Sequence, residues 1–167
     1  DKVLTFASVN GPDWTIIDGD GNSRCVNLGK HGTTLSGFTI TNGNSEDGGG
    51  VYCTLYQSLI TNCVIIGNTA SNHGGGTYKG TIRNCTITGN RAEIRAGGAY
   101  GGKIYDSTIV GNSVGRYGGG VSGGTLYSCL LIGNSTDVRD GGGAFDATLY
   151  NCTVVGNRAA RDGGGTS

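Results

Sequence analysis

Several residue types that globular proteins use freely are rare in this chain. Its 167 residues include no methionine, one proline and one tryptophan, and its only glutamates are Glu46 and Glu93. Helical proteins are rich in leucine, alanine, glutamate and lysine, so this composition argues against a helical fold. Collagen is excluded because the 35 glycines follow no strict triplet and proline is scarce. The many Ile, Val, Leu and Tyr residues are too apolar for a disordered linker, and they indicate an all-β chain with tight turns.

An excess of charge of either sign is also missing. The 12 basic and 12 acidic residues give a formal net charge of zero, so nothing predicts binding to nucleic acid or to an anionic membrane. No apolar stretch approaches the length of a transmembrane span, and therefore no membrane insertion is predicted. The chain starts at Asp1 without a charged-then-apolar leader, and we expect a mature product or an excerpt of a longer protein.

An internal repeat of about 22 residues organises most of the chain. The pair Gly-Asn recurs at a constant step, with one extra residue before the last pair, at Gly67-Asn68, Gly89-Asn90, Gly111-Asn112, Gly133-Asn134 and Gly156-Asn157. A glycine-rich triplet follows each pair, at 74–76, 96–98, 118–120, 141–143 and 163–165. We therefore expect one domain over 1–167, with irregular first coils over 1–35, a longer coil over 36–61 and regular coils over 62–167.

The apolar runs between these markers are short and β-branched, and they alternate with a period of two residues. No window of about 11 residues has a helical period. Neither the leucine-rich pattern nor the blade length of about 40 residues found in other repeat classes is present. The pattern predicts an all-β fold, a right-handed single-stranded parallel β-helix, whose coils of about 22 residues each contain three short strands. Its handedness rests partly on the general preference for right-handed crossovers.

Equivalent residues of neighbouring coils should form ladders with a step of about 4.8 Å. Two apolar ladders are predicted to point inward, namely Ile65, Ile87, Ile109, Leu131, Val154 and Ile82, Ile104, Leu126, Leu149. A third ladder shares their parity and should also be inside, namely Cys63, Cys85, Ser107, Cys129, Cys152. A fourth is polar, namely Asn68, Asn90, Asn112, Asn134, Asn157. Asparagine tolerates left-handed turns and its amide can bond to the asparagines above and below, while the glycine triplets should mark a crowded corner.

Longer motifs resemble a known class of proteins. They are Ser8–Pro12, Thr15–Gly19, Leu35–Gly43 and repeats of the forms Gly-Gly-Gly-x-Tyr and Asn-Cys-Thr-Ile-x-Gly-Asn. The chain is similar to the right-handed β-helix regions of large bacterial surface and secreted proteins. It is similar more loosely, through Gly97-Gly98-Ala99, to polymorphic outer-membrane protein repeats, although their Phe-x-x-Asn element is absent. The resemblance implies a right-handed coil and an extracellular or cell-surface location, while the fold itself carries adhesins, lyases, spikes and filaments alike.

Six cysteines occur without any C-x-x-C pair, which argues against zinc and thioredoxin-type motifs. Cys63 with Cys85, and Cys129 with Cys152, should be ladder neighbours at a separation that permits a disulfide. In-register side chains run parallel, however, so we favour buried thiols that pack as small apolar groups and keep disulfides as the alternative. Two further cysteines lie off the ladder and their state is open, Cys25 and Cys53.

One acidic cluster is similar to the opening of a calcium loop. It consists of Asp18, Asp20 and Asn22, but Gly29 stands where an EF-hand needs an acid. An ordinary turn is therefore predicted at this position, and no metal site.

Other titratable residues also lack the partners that catalysis needs. Asp140 and Asp162 stack on adjacent coils, but each follows an arginine and is expected at a solvated, charge-paired edge rather than in a glycosidase pair. The histidines, His31 and His73, are isolated in the sequence. The sequence therefore predicts no catalytic residue, no cofactor and no metal.

Stacked aromatic residues are the strongest indication of a surface that binds something. Tyr105, Tyr127 and Tyr150 occupy one position on three successive coils above Arg83 and should face outward. Three interpretations stay open: the tyrosines stack on sugar rings, they form a packing face for another chain, or they are ordinary cross-strand pairs that stabilise an exposed sheet. A second aromatic ladder is interrupted at Ser122, and whether its side chains point inward or outward stays undecided; its members are Tyr52, Tyr78, Tyr100 and Phe145.

The function predicted from these features is an extracellular structural or adhesive solenoid. Open β-helix ends expose unpaired strands, so we expect self-association, end to end or lateral, with a filament as the product. The residues after the last glycine triplet would pack against Asp1–Val9 of the next chain. The alternative is a carbohydrate-binding or polysaccharide-cleaving module that uses Tyr105, Tyr127 and Tyr150 and has a polysaccharide as its partner.

Overall fold

The computed structural model describes residues 3–29 and 32–167, and within them it contains 25 short β-strands and no helix. His31 and the first two residues of the predicted Asp1–Val9 contact lie outside the described residues. Each strand pairs in parallel with its equivalents in the neighbouring coils, and never with the strand that precedes or follows it in the chain. The chain is therefore an all-β parallel solenoid, which confirms the predicted parallel architecture with coils of about 22 residues.

The strands form four parallel sheets, which we name A to D in the order in which the regular coils visit them. Sheet A contains β1 (Thr5–Ala7), β4 (Thr34–Ser36), β8 (Leu59–Thr61), β12 (Thr81–Arg83), β16 (Lys103–Tyr105), β20 (Thr125–Tyr127) and β24 (Thr148–Tyr150). Sheet B contains β2 (Ile16–Asp18), β5 (Thr39–Thr41), β9 (Val64–Ile66), β13 (Thr86–Thr88), β17 (Thr108–Val110), β21 (Leu130–Ile132) and β25 (Thr153–Val155). Sheet C contains β6 (Asn44–Asp47), β10 (Thr69–His73), β14 (Arg91–Ala92), β18 (Ser113–Val114) and β22 (Ser135–Thr136). Sheet D contains β3 (Val26–Leu28), β7 (Val51–Cys53), β11 (Thr77–Tyr78), β15 (Ala99–Tyr100), β19 (Val121–Ser122) and β23 (Ala144–Phe145).

Each regular coil thus contains four strands, where the sequence pattern predicted three. In these coils the strands of sheets C and D are mostly two residues long, as in β14 and β15, and the glycine triplet lies between them. Two residues are too few for an alternating apolar pattern, so sequence periodicity cannot reveal such strands.

The number of residues in each coil is the sequence separation between paired residues of neighbouring strands in sheet A. The first two steps, from Thr5 to Thr34 and on to Leu59, are both longer than the regular repeat. The next three coils, from Leu59 to Thr125, have equal length, and the coil from Thr125 to Thr148 is one residue longer. The seven strands of sheet A therefore delimit six coils. The extra residues of the second coil lie at 54–58 between β7 and β8, and that of the sixth lies in the loop at 137–143.

The core is a set of inward ladders, one from each sheet. The ladders of sheets A and B are fully or almost fully buried, namely Leu35, Ile60, Ile82, Ile104, Leu126 and Ile40, Ile65, Ile87, Ile109, Leu131. Their last members, Leu149 and Val154, are half-buried. Each fully buried aliphatic side chain contributes roughly 1.5–3 kcal/mol, so these two ladders are the main source of stability. Sheet C contributes a separate cluster of small residues, namely Ala70, Ala92, Val114.

The glycine triplets lie at the corner between sheets C and D, where a side chain at the second or third position would collide with the next coil. A Cβ on Gly75 would collide with the carbonyl oxygen of Arg91 in the next coil. A Cβ on Gly76 would lie 2.6 Å from the carbonyl oxygen of Gly98 and 3.1 Å from the amide nitrogen of Asn90. The last glycine of the triplet therefore leaves space for the asparagine ladder.

Candidate functional site

The asparagine ladder lies at the corner between sheets B and C and forms one hydrogen-bonded column. Asn68, Asn90, Asn112 and Asn134 are completely buried. The Oδ1 of Asn112 accepts the backbone N–H and the Nδ2–H of Asn90, both at 3.0 Å, and its own Nδ2 donates to the Ile87 carbonyl at 2.9 Å and to Asn134 Oδ1 at 3.0 Å. Buried amides normally find such partners, and here none is left over for a ligand.

The predicted stacking of asparagines is confirmed, but the conformational reason given for it is wrong. The left-handed residue at each turn is the preceding glycine, with φ of 66° at Gly67 and 60° at Gly89. Asparagine does adopt this conformation elsewhere, at the turn between sheets A and B, where φ is 51° at both Asn62 and Asn84. The ladder asparagines are thus selected for their amide bonds and not for their backbone.

The ladder ends at Asn68 on one side, where glycine and cysteine replace the next asparagine. The Oδ1 of Asn68 accepts the backbone N–H of Gly43 at 2.8 Å and lies 3.7 Å from the thiol of Cys25. Cys25, which the sequence left unassigned, therefore lies at the end of the asparagine ladder. Its burial raises the pKa of its thiol, with a smaller contribution from Asp18.

The cysteine ladder lies at the corner between sheets A and B. Cys63, Cys85 and Cys129 are buried, Cys152 is half-buried, and all six cysteines are free thiols. Each ladder thiol donates to the backbone two residues back, as Cys85 Sγ does to the Arg83 carbonyl at 3.2 Å. Ser107 takes the place of a cysteine in this ladder, and its hydroxyl likewise donates to the carbonyl two residues back, that of Tyr105, at 2.7 Å.

Thiol acidity in this ladder is set by burial and by the neighbouring thiol. The neighbouring Cys85 thiol lowers the pKa of Cys63, while the Cys63 thiol and burial both raise the pKa of Cys85. Burial raises the pKa of Cys129 to about 11, and that of Cys53, a buried residue of sheet D, to about 12. Thiols with a raised pKa are protonated and inert at neutral pH.

The tyrosine strip, Tyr105, Tyr127 and Tyr150, lies on the outer face of sheet A. Its ring centroids are 4.9 and 5.0 Å apart with planes within 10° of each other, and the Arg83 guanidinium lies 4.4 Å from the centroid of Tyr105. Contacting carbons are about 3.5–4.0 Å apart, so rings at this spacing must be slipped sideways over one another. Each ring face is then largely covered by its neighbour, and edges and hydroxyls are what the strip presents to solvent.

The second aromatic ladder runs along the outer face of sheet D, so its side chains point outward, which the sequence alone did not decide. Tyr52 stacks on Tyr78 with ring centroids 4.9 Å apart, and Tyr78 stacks on Tyr100 with ring centroids 5.2 Å apart. Ser122 is fully buried, and its place in the row of rings is taken by Tyr117 from the preceding loop, which contacts Phe145 at 4.6 Å. Burial raises the pKa of Tyr78, while the charge of Lys79 acts in the opposite direction.

His73 is not isolated, in contrast to the sequence prediction. Its Nδ1 lies 2.8 Å from the Oδ1 of Asp47, one coil earlier, and its ring lies 4.8 Å from that of Tyr100. Sequence spacing does not reveal this pair because the irregular second coil shifts the register within sheet C between Ala70 and His73. No serine or cysteine hydrogen-bonds to His73 within the described residues, so the pair has no nucleophile beside it.

The predicted acidic turn has the geometry of an Asx turn. Asp18 accepts the backbone N–H of Asp20 at 2.8 Å and the side-chain amide of Asn42 at 3.1 Å. The carboxylate is therefore engaged by donors from its own turn and from the next coil.

Asp140 and Asp162 are stacked on adjacent coils, and Arg161 lies beside them. The backbone N–H of Asp162 donates to Asp140 at 3.1 Å, and Arg161 lies 3.8 Å from the same carboxylate. Across the residues that the structure describes, no group of three His, Cys, Asp or Glu side chains comes together as a metal site.

The outer face of sheet B is a surface that sequence reasoning missed. From the third coil onward its outward residues carry no charge, namely Val64, Ile66, Thr86, Thr88, Thr108, Val110, Leu130, Ile132, Thr153 and Val155. Ile66 and Val155 are 39% and 54% exposed. The outward parity of these residues was readable from the sequence once the inward ladder was assigned.

No family model matches the chain, and it matches neither a curated protein nor a solved structure. Within 3–29 and 32–167, there is no helix of the length and apolarity needed to cross a membrane. The chain is therefore classified by its parallel solenoid fold.

Proposed function

We propose that the chain is a structural or adhesive solenoid of the cell exterior, whose coils stack end to end between copies to form a filament. The observation that supports the proposal is an uncovered apolar interior at both ends of the described solenoid. A further coil in register, from the same polypeptide or from a second copy, would bury that interior at little cost in strain.

The first coil leaves apolar side chains uncovered at one end. A cavity of about 290 Å³ opens there, and it is lined by Phe6, Ile17, Val26, Leu28, Leu35 and Phe38. Phe6 is 51% exposed and Leu4 is 50% exposed. Apolar area of this kind gains roughly 25 cal/mol for each Å² that a stacked coil removes from water.

The last strands leave the other end of the core open. Leu149, Cys152 and Val154 are half-buried, while their equivalents one coil earlier are buried. The same ladders would continue if Leu149 stacked on Phe6 and Val154 on Ile17 of a second copy. Each added coil repeats an arrangement that is already present six times in the chain.

An exterior location is supported by the resemblance to bacterial surface and secreted β-helices. It is also compatible with the thiols of Cys53, Cys85 and Cys129, because burial raises their pKa and such thiols resist oxidation. Affiliation with those surface proteins is part of this proposal.

Electron microscopy of the purified 167-residue chain tests the proposal directly, at rising protein concentration. We expect filaments whose axial spacing is about 4.8 Å. Phe6→Asp places a charge in the uncovered end and should abolish them, because a buried unpaired carboxylate is strongly unfavourable.

The matched control is Val138→Asp, which adds the same charge at a 58% exposed position in the loop at 137–143. Filaments should form as in the unmodified chain. The proposal fails if the unmodified chain stays monomeric at high concentration, or if Phe6→Asp forms filaments as well as Val138→Asp does.

A second candidate function is carbohydrate binding at the tyrosine strip. The observation that favours it is a row of outward phenol hydroxyls next to Arg83, with Tyr150 51% exposed. The slipped stack makes hydroxyl contacts along the row more favourable than stacking of sugars on ring faces. Replacing Tyr105, Tyr127 and Tyr150 by Phe removes the hydroxyls and keeps the stack, so it should abolish glycan binding, and unchanged binding would exclude this candidate.

A further inference from the structure

We propose that sheet D and the loop before it form a binding site for a linear anionic polysaccharide, beyond the filament function and separate from the tyrosine strip. The site, which we call the cationic ridge, consists of Lys79, Arg95, Arg139 and the aromatic residues Tyr78, Tyr100, Tyr117, Phe145. These residues come from four successive coils, so the ridge runs parallel to the solenoid axis. Three coil steps correspond to a length of about 14 Å.

Three positive charges on the ridge have no counterion among residues 3–29 and 32–167. Within the described residues, Lys79, Arg95 and Arg139 form no ion pair. Three carboxylates of sheet C and the following loops are engaged by other partners: Asp47 by His73 at 2.8 Å, Asp137 by Arg91 at 3.2 Å and Asp140 by Arg161 at 3.8 Å. A chain with zero net charge therefore carries a local positive line, which attracts a polyanion.

Aromatic rings hold these cations on the ridge. The Lys79 Nζ lies 5.0 Å from the centroid of Tyr78, and the Arg95 guanidinium lies 5.6 Å from that of Tyr117 and 5.8 Å from that of Phe145. The Arg139 guanidinium lies 5.5 Å from the centroid of Tyr117, on which two arginines thus converge. Cation–π contacts restrict long side chains before any ligand binds, and so they reduce the entropy cost of binding.

The chemistry of the ridge favours an acidic glycan over a nucleic acid. Single-stranded nucleic acids need free ring faces on which bases stack. On the ridge those faces are used by neighbouring rings and by cations, while the tyrosine hydroxyls remain as donors and acceptors for sugar hydroxyls. The planar guanidinium groups suit carboxylate or sulfate groups, because they can donate two parallel hydrogen bonds to either.

Binding of the full chain to polygalacturonate and to chondroitin sulfate, measured by calorimetry at low ionic strength, tests the proposal. Neutral dextran and single-stranded oligo(dT) are the comparison ligands. We expect binding to at least one acidic glycan and none to dextran, and the preferred glycan distinguishes carboxylate from sulfate recognition. Stronger binding to oligo(dT) than to both glycans would overturn the assignment to polysaccharide.

Two double variants locate the site. Arg95→Gln with Arg139→Gln should weaken binding by about tenfold or more, since two charge-assisted contacts are lost. The control, Lys103→Gln with Arg158→Gln, changes the net charge equally on the outer faces of sheets A and C and should bind as the unmodified chain does. Equal weakening in both variants, or no glycan binding by the unmodified chain, would overturn the proposal. Arg139→Gln alone changes an exposed side chain, so its loss of binding cannot be attributed to misfolding.

Discussion

The asparagine and cysteine ladders run along two corners of the same solenoid, and they differ in what each residue does for its neighbours. Each buried asparagine bonds both to the next asparagine and to a backbone carbonyl, as Asn112 does to Asn134 and Ile87. Each ladder cysteine bonds to a carbonyl two residues back, and Ser107 replaces a cysteine while the in-register pairing of β13, β17 and β21 is kept. The asparagine column therefore couples its members through side-chain amides at every step, whereas in the cysteine column the backbone N–H of Cys85 donates to the Ser107 hydroxyl at 3.1 Å.

The largest effect is expected where the asparagine ladder is cut. Asn112→Ala removes the partner of the Asn90 backbone N–H, of one Asn90 Nδ2–H and of the Ile87 carbonyl, while Asn134 Oδ1 keeps only the backbone N–H of residue 112. Each unsatisfied buried group costs about 1–3 kcal/mol, so the free energy of unfolding should fall by about 4 kcal/mol in urea titrations. The exposed Asn22→Ala should change it by only about 0.5 kcal/mol. Similar values for both variants would show that the column does not act as a network.

A smaller loss is expected where the corner glycines make room for that ladder. Gly76→Ala places a Cβ 2.6 Å from the Gly98 carbonyl oxygen and 3.1 Å from the amide of Asn90, and overpacking of this kind costs about 3 kcal/mol. Gly89→Ala meets no atom within 4 Å and keeps only the strain of its φ of 60°, about 1–2 kcal/mol. Thermal unfolding of the two variants measures the difference, and a larger loss for Gly89→Ala would contradict the packing argument.

The cysteine ladder should appear in the pH dependence of stability. Burial raises the pKa of Cys129 from 9.0 to about 11, so between these values the unfolded chain releases a proton that the folded chain retains. Stability is thus fully present below pH 9 and falls by about 1.4 kcal/mol per pH unit up to the folded pKa. Cys129→Ser should remove this part of the slope. An identical pH profile for the variant would show that Cys129 does not titrate in this range.

The smallest effect is expected for Cys85→Ser. Its hydroxyl can donate to the Arg83 carbonyl, as the hydroxyl of Ser107 does to Tyr105, so the free energy of unfolding should change by about 1 kcal/mol or less. Chemical denaturation measures the change. A loss close to that of Asn112→Ala would mean that the thiols also form a cooperative column.

Much of this arrangement could be predicted from spacing alone, because a repeat of constant length places equivalent residues in one ladder. The inward Ile87 and the stacked Asn90 follow directly from that rule. What could not be predicted depends on loops and irregular coils, where register is lost. The pairing of His73 with Asp47 and the insertion of Tyr117 beside Phe145 both arise there. The fourth strand of each regular coil was missed for a related reason, since a strand of two residues is too short to show an alternating pattern.

In the proposed filament the solenoid continues between copies by stacking of its own ladders. Cryo-electron microscopy of filaments formed by the unmodified chain, at a resolution that shows the subunit junction, tests this stacking. We expect Leu149 and Val154 of one copy to lie about 4.8 Å from Phe6 and Ile17 of the next, in register with the ladders on either side. A junction formed by the uncharged outer face of sheet B, or a chain that remains a discrete short rod at every concentration, would contradict it.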